Sequence, residues 1–244
     1  MNNYIYSNNF FKNVDICALQ SAEHFYDTFF NHFNINSILD VGCGRGAWLS
    51  VAKRKNVTTV FGIDGDYVDL NTLLISQNEF EKKNIELPFD LNKKFDLVQC
   101  LEVGEHINKN KSEILVKNII KHGDFILFSA AQPGQGGTNH INEQEIKFWK
   151  NIYNDNGYLA FDFPRILNRD VNNIMPWYRY NMILYVKKEA INLIPDNLLF
   201  YQCDNDYNFY KLIPLSWKLR LFILRVFPVK FLTLLSKIKY ILNN

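Results

Sequence analysis

Two shortages narrow what this chain can be: it has few cysteines and no long apolar run. Cys17, Cys43, Cys100 and Cys203 are the only cysteines in 244 residues, and no two of them form a C-x-x-C pair. Neither a zinc-binding spacing nor a disulfide framework is present, so reduced core thiols of a cytosolic protein are expected. No stretch reaches the ~18 uninterrupted apolar residues of a membrane-spanning helix. Met1-Asn2-Asn3-Tyr4 lacks the basic and then apolar segments that open a secretion signal. Acidic residues are absent from residues 215–244, which hold Lys218, Arg220, Arg225, Lys230, Lys237 and Lys239. The whole chain carries +2, so a tail at +6 leaves −4 on the rest. A mildly acidic body argues against nucleic acid as the substrate. With 48% hydrophobic and 21% charged residues, the chain can bury a sizeable core, as one large domain or as a domain with an appendage.

Glycine is used where backbone geometry needs it. Ser37-Ile38-Leu39-Asp40-Val41 is a short apolar run holding one acid, and it leads into Gly42-Cys43-Gly44-Arg45-Gly46. This pattern predicts a buried strand and then a tight turn where backbone comes close to a ligand. Ala47 to Lys53 follow with apolar residues at helical spacing. Strand, glycine turn and helix form the first half of a nucleotide-binding α/β fold. The spacing is G-x-G-x-G, not the dinucleotide pattern G-x-G-x-x-G, and Asp40 stands two residues ahead of the first glycine. A carboxylate there repels phosphate and suits a cationic ligand. S-adenosylmethionine carries an ammonium and a sulfonium and no phosphate. The stretch resembles motif I of the class I S-adenosylmethionine-dependent methyltransferases.

That resemblance implies a Rossmann-like, doubly wound α/β sheet of seven strands, and the chain supplies segments for it. Residues 1–13 read as a polar, Asn-rich loop. Asp15–Phe33 reads as an amphipathic helix, with Ile16, Leu19, Ala22, Phe25, Tyr26, Phe29, Phe30 and Phe33 at helical intervals. In this family a helix ahead of the first strand often covers the cofactor. Thr58–Ile63 is β-rich and closes on Asp64, whose carboxylate is then placed to accept both ribose hydroxyls. Asp66 is a neighbouring candidate, or else the cap of a helix starting near Tyr67. Phe80–Phe89 reads as the third strand and its exit loop. Many methyltransferases place an Asp-Leu pair there, with the Asp facing the adenine amino group. Asn84-Ile85 fills that place here, and an Asn oxygen can accept the same hydrogen bond.

The fourth strand, Phe95–Leu101, runs into Glu102-Val103-Gly104-Glu105-His106. This E-x-x-E-H pattern falls at the carboxyl edge, where open α/β sheets bind ligands. On a helical turn Glu102, Glu105 and His106 would share one face. Lys111–Lys121 reads as a helix and Asp124–Ala130 as the fifth strand. Ala131–Gln144 is a loop with three glycines and a proline at the same edge. His140 is the only titratable residue between Asp124 and Glu143. Glu143–Tyr153 reads as a helix, and Tyr158–Phe163 and Tyr180–Val186 as the last two strands, an antiparallel hairpin by the family pattern. Between them, Met175–Arg179 is aromatic and basic, and suits either an acceptor-pocket wall or a packed connection. A methyltransferase domain over residues 1–188 is expected to carry a helical C-terminal extension over 189–244. Within it, Ile213–Leu242 is apolar, basic and interrupted by Pro228. Two helices there would suit an interfacial membrane anchor, a partner-binding surface, or a packed pair with a solvated basic face.

Methyl transfer from a sulfonium is an in-line displacement that depends largely on positioning, and a hydroxyl acceptor also has to lose its proton. Two roles fit the polar edge. His140 can act as a general base oriented by Glu105 or Glu102. Alternatively Glu102, Glu105, His106 and His140 bind Mg²⁺ or Mn²⁺, which acidifies an acceptor oxygen. The second set is similar to the metal site of small-RNA 3′-terminal 2′-O-methyltransferases. The Ser129–Gln144 signature, S-A-A-x-P-G-Q-G-G…N-E-Q, resembles a narrower bacterial group associated with surface-polysaccharide genes. Together these resemblances imply a cytoplasmic S-adenosylmethionine-dependent O-methyltransferase acting on a carbohydrate or surface-glycan precursor, with residues 213–244 as a candidate contact to the inner face of a membrane or to a protein. His140, His106 and Glu105 are its candidate catalytic residues. Asp40, Gly42, Cys43, Gly44, Gly46, Asp64, Gly65, Asn84, Ile85, Leu101 and Glu102 are its candidate cofactor contacts. The alternatives are a metal-dependent RNA ribose 2′-O-methyltransferase, a small-molecule methyltransferase at the membrane, and a non-catalytic cofactor-binding regulatory partner.

Overall fold

Apolar runs too short for helices make the strands. In a computed structural model that describes residues 8–226, with side chains from 14 to 225, seven of them join one sheet. They are Ser37–Val41 (β1), Thr59–Asp64 (β2), Phe80–Lys82 (β3), Leu97–Leu101 (β4), Phe125–Ser129 (β5), Tyr158–Phe161 (β6) and Ile183–Lys187 (β7). The order across the sheet is β3-β2-β1-β4-β5-β7-β6. The first five strands are parallel, and β7 runs antiparallel to both β5 and β6. This is the Rossmann-like sheet with a closing hairpin that the motifs implied.

Both faces of the sheet are covered, and side-chain alternation assigns each strand residue to a layer. Ile38, Leu97, Leu127 and Leu184 pack under Asn8–Phe29 (α1) and Ala47–Arg54 (α2). Leu39, Val98, Ile126 and Ile183 pack under Ser112–Ile120 (α3) and Ile146–Asp155 (α4). Ala18, Ala22, Phe25, Tyr26 and Phe29 form the buried stripe of α1, and Phe25 and Tyr26 meet Trp48 of α2 edge to face. Two expectations need correction here. Residues 8–13 are helical, not loop, because a stretch with neither Gly nor Pro extends α1 backwards. No α-helix starts near Tyr67: the Asp69 carboxylate accepts the Asn71 N–H and leaves only a short 3₁₀ turn over Leu70–Thr72. Asp and Asn compete for backbone in this way and keep the β2–β3 connection irregular.

Between β6 and β7 the chain forms Phe163–Asn168 (α5) and Pro176–Asn181 (α6). The aromatic stretch expected there opens α6, and Tyr178 packs on Trp48 with ring centroids 5.1 Å apart. At the end of β6, Asp162 and Arg165 form a fully buried bidentate pair at 2.5 and 2.6 Å. Arg165 Nη1 also donates to the carbonyls of Tyr180 and Phe209. Packing continues past residue 188. Asp196–Leu199 (α7) follows a 3₁₀ segment, and Ala190, Ile194 and Leu198 are buried in the α1-side core. Gln202 bridges Phe161 antiparallel, with Cys203 N–H on the Ala160 carbonyl and Asp162 N–H on the Tyr201 carbonyl. Leu215–Val226 (α8) is the last described element. The second tail helix, expected after Pro228, lies outside the described residues. All four cysteines are free thiols. Among the described residues no helix is long and apolar enough to cross a membrane.

Candidate active site

The strand order reverses between β1 and β4, and the chemistry-bearing residues collect at the carboxyl edge beside that switch. After β1, Gly42, Gly44 and Gly46 all take positive φ, at 83°, 55° and 82°, a region costly for L side chains. A Cβ on Gly42 would lie 2.4 Å from Val103, whereas beside Gly44 the space is open. That opening is where backbone can approach a ligand. Asp64, buried at the end of β2, braces the turn by accepting the Gly44 and Gly65 N–H groups, each at 2.6 Å, and the Tyr67 hydroxyl. Burial pushes its carboxyl above the ordinary range despite these donors. From outside, Asp15 of α1 pairs with Arg45 of the turn, with Nε to Oδ2 at 2.7 Å, and so fastens the helix to the loop. Cys43 and Leu101 are buried at the same edge. Asn84 is exposed, and its Oδ1 accepts the Glu86 N–H at 3.0 Å, a local turn bond. Ile85 is half-buried.

Asp40 is buried in β1, and burial raises its carboxyl to about 7, with Gln99 opposing and the Asp64 charge adding. A folded pKa above the unfolded value means that the fold favours the neutral acid. Stability is therefore lost as pH rises from ~4 through ~7, by roughly 2–4 kcal/mol. Asp40→Asn removes that cost. The cofactor-free variant is expected to melt several degrees higher than the wild type at pH 8, with a clearly smaller gain at pH 5 and none below pH ~4. Its affinity for the cationic cofactor should fall at both pH values. Thermal denaturation with and without cofactor at the two pH values checks both effects.

The other half of the site stands at the ends of β4 and β5. Glu102 leaves β4 at φ 57°, with its N–H held by the Ser129 carbonyl and hydroxyl oxygens. Such strained backbone persists only where its surroundings hold it. Gly104–His106 then form one 3₁₀ turn, so the shared helical face expected for Glu102, Glu105 and His106 does not form. Glu102 joins a buried amide network instead. Its oxygens accept Gln135 Nε2 at 2.7 Å and Asn181 Nδ2 at 3.3 Å. Asn181 also donates to Gln135 and accepts from Gln132.

Glu105, His106 and His140 do converge: one ligand atom from each lies within 4.8 Å of the others. The two imidazole rings meet edge to face with centroids 5.0 Å apart. Glu105 is 1% exposed, and among the described residues its Oε2 has no hydrogen-bond partner. Its Oε1 lies 4.0 Å from His140 Nε2. Burial, then the Glu102 charge, pushes the Glu105 carboxyl well up, while burial and the nearby His140 lower the His106 imidazole to about 4. A neutral imidazole, a second one facing it and an unpartnered buried carboxylate oxygen fit a divalent transition ion such as Mn²⁺, and suit Mg²⁺, which prefers oxygen donors, less well. Of the four expected ligands, Glu102 stands outside this group because the amide network holds it.

Glu143, which sequence reasoning left out, orients His140. Its Oε1 lies 2.9 Å from His140 Nδ1, and its two oxygens accept the Gly134 and Gly136 N–H groups at 2.8 Å. Burial alone would raise the Glu143 carboxyl, but His140 and these amides outweigh it and hold it below the ordinary range. A carboxylate only accepts, so Nδ1 is the donor and Nε2 is the ring nitrogen turned toward Glu105. Gly137 makes room for the ring, since a Cβ there would lie 2.2 Å from Nε2. The H-x-x-E spacing was a usable signal for Glu143. None existed for Asn181, which arrives from the end of α6.

Comparison with known proteins agrees with this fold. The family model described as a methyltransferase domain matches residues 18–168. An uncharacterized protein of Methanocaldococcus jannaschii is 32% identical over 90 residues, 35% of this chain and 36% of its own length. This chain thus matches only about a third of that relative. Among solved structures, the methyltransferase domain of bacterial CtHen1-C superposes with a TM-score of 0.52 at 17% identity, covering 70% of this chain and 98% of that one. A candidate O-methyltransferase from Nostoc punctiforme PCC 73102 gives a TM-score of 0.56 at 12% identity, covering 72% of this chain and 58% of that one. At these identities the two structures speak to the fold alone.

Proposed function

The chain belongs to the methyltransferase domain family and is an S-adenosylmethionine-dependent enzyme, and from that premise we propose that its acceptor is a hydroxyl group, borne by a carbohydrate or surface-glycan precursor. The observation that carries this reading is the Glu105–His106–His140 cluster at the sheet edge that also holds the glycine turn. A hydroxyl needs help to lose its proton, and this cluster offers it. Asp40 provides negative charge for the ammonium of the cofactor, and Asp64 provides oxygens for the ribose. The mildly acidic body supports a carbohydrate over RNA, and the likeness of Ser129–Gln144 to a surface-polysaccharide group supports the glycan.

Glu105, His106 and His140 would hold a divalent cation, which when bound supplies Lewis acidity to an acceptor oxygen. Glu143 then fixes the ring orientation of His140, as a carboxylate behind a ligating imidazole does. The His140–Glu143 pair equally supports a second reading, in which His140 Nε2 takes the hydroxyl proton directly. Treatment with a chelator separates the two. Methyl transfer is expected to fall and to return on adding Mg²⁺ or Mn²⁺, and full activity after chelation assigns His140 as the base. The acceptor is tested by mass spectrometry of surface glycans from a strain lacking the gene. One methyl increment should disappear, and unchanged glycans would overturn the assignment.

A further inference from the structure

Helix α8 carries apolar residues outward. Leu215, Leu219, Phe222 and Ile223 recur at the spacing of one helical face and are exposed, Leu215 at 81% and Phe222 at 67%. The opposite face fastens the helix to the active-site loop. Leu221 is buried, and its carbonyl oxygen lies so close to Gly134 that a Cβ there would come within 2.2 Å. Arg225 Nε donates to the Pro133 carbonyl at 2.9 Å, and Trp217 meets Tyr180 with ring centroids 5.7 Å apart. At 100° per residue, Lys218 and Arg225 flank one side of the exposed stripe, and Arg220, stacked on Trp217, flanks the other.

An outward apolar stripe bordered by cations, in a segment without a single acid, matches an anionic lipid surface. The chain's own continuation is a poorer cover. Residues 227–244, outside the described residues, add three lysines and no acid, so that pairing would set like charges together. We propose that α8 lies in the interface of an anionic membrane, with Leu215, Leu219, Phe222 and Ile223 at the acyl boundary and Lys218 and Arg220 among the headgroups, while Arg225 stays engaged with Pro133 and Glu145. Pro133 and Gly134 lie directly beneath the helix, so docking holds the loop that carries His140 within about one helix diameter, ~10 Å, of the lipid.

Co-sedimentation of the full chain with vesicles tests this. The protein is expected to pellet with phosphatidylglycerol–phosphatidylcholine vesicles, to be released by salt, and to stay in solution with phosphatidylcholine alone. The double variant Leu219→Glu/Phe222→Glu should bind at least tenfold more weakly, and Lys218→Glu should lose much of the anionic preference. Both should keep wild-type affinity for S-adenosylhomocysteine. Wild-type protein that ignores anionic vesicles overturns the proposal, as does equal binding to neutral ones or a double variant that pellets like wild type. A dimer that the double variant dissociates, without vesicle binding, would assign the stripe to a second copy instead. Methylation of a soluble acceptor is a separate readout, so failure of docking and failure of the glycan reading are distinguishable.

Discussion

Replacing His140 with alanine is expected to lower methyl transfer by about 10²–10⁴-fold, the usual contribution of a positioned proton-transfer group, while the affinity for S-adenosylhomocysteine stays unchanged. The ring sits at the end of the 131–144 loop, 4.0 Å from Glu105 and fixed by Glu143 at 2.9 Å. Nothing in the glycine turn leans on it, so cofactor binding serves as an internal control for folding. Glu143→Gln keeps the shape of the pair and alters its charge, and a smaller loss of about 10–100-fold is expected, as for other groups that orient a working imidazole. The readout is labelled methyl transferred from S-adenosylmethionine into an extract of cells lacking the gene, which retains the unmethylated acceptor. Full activity in His140→Ala would remove the acceptor half of the site from the cluster described above.

Asp64→Ala is expected to weaken S-adenosylhomocysteine binding by one to two orders of magnitude. Hydrogen bonds to a charged acceptor are worth about 1.5–3 kcal/mol each, and 1.4 kcal/mol is a factor of ten. The same carboxylate braces the turn through Gly44 and Gly65, so the variant should also melt at a lower temperature. Asp64→Asn keeps one acceptor oxygen and should fall between alanine and wild type. Calorimetry gives the affinities, and an unchanged value for Asp64→Ala would sink the ribose assignment.

Local chemistry made the cofactor half legible. Three glycines, an acid two residues earlier and an acid at the end of the next strand each answer to a backbone or charge requirement that falls within a short window. The central strands were legible for the same reason, since β4 and β5 are buried at every position and read as short apolar runs interrupted only by Gln99 and closed by Ser129. The acceptor half depends on contacts far apart in the chain. Glu102 looked like a ligand by spacing, but its surroundings are set by Gln135 and Asn181, which periodicity cannot place beside it. The irregular link after β2 was missed because Asp69 captures its own backbone, a choice that apolar spacing does not report. In α8 apolar residues occur on two faces, and the face that turns inward was decided by Gly134, which lies far earlier in the chain than the Leu221 and Arg225 it meets.

The bridge between Phe161 and Gln202 has a consequence for how the molecule behaves among its own copies. β6 lies at one margin of the sheet, and a bare margin offers backbone donors and acceptors to any passing strand. Tyr201 and Cys203 occupy those groups on Asp162 and Ala160, and the Phe209 carbonyl helps hold Arg165 in the interior. The stretch that follows the last strand therefore keeps the sheet from growing between molecules. A chain cut after Lys188 would lose that cover and one partner of its buried guanidinium together, leaving a margin free to recruit its neighbours.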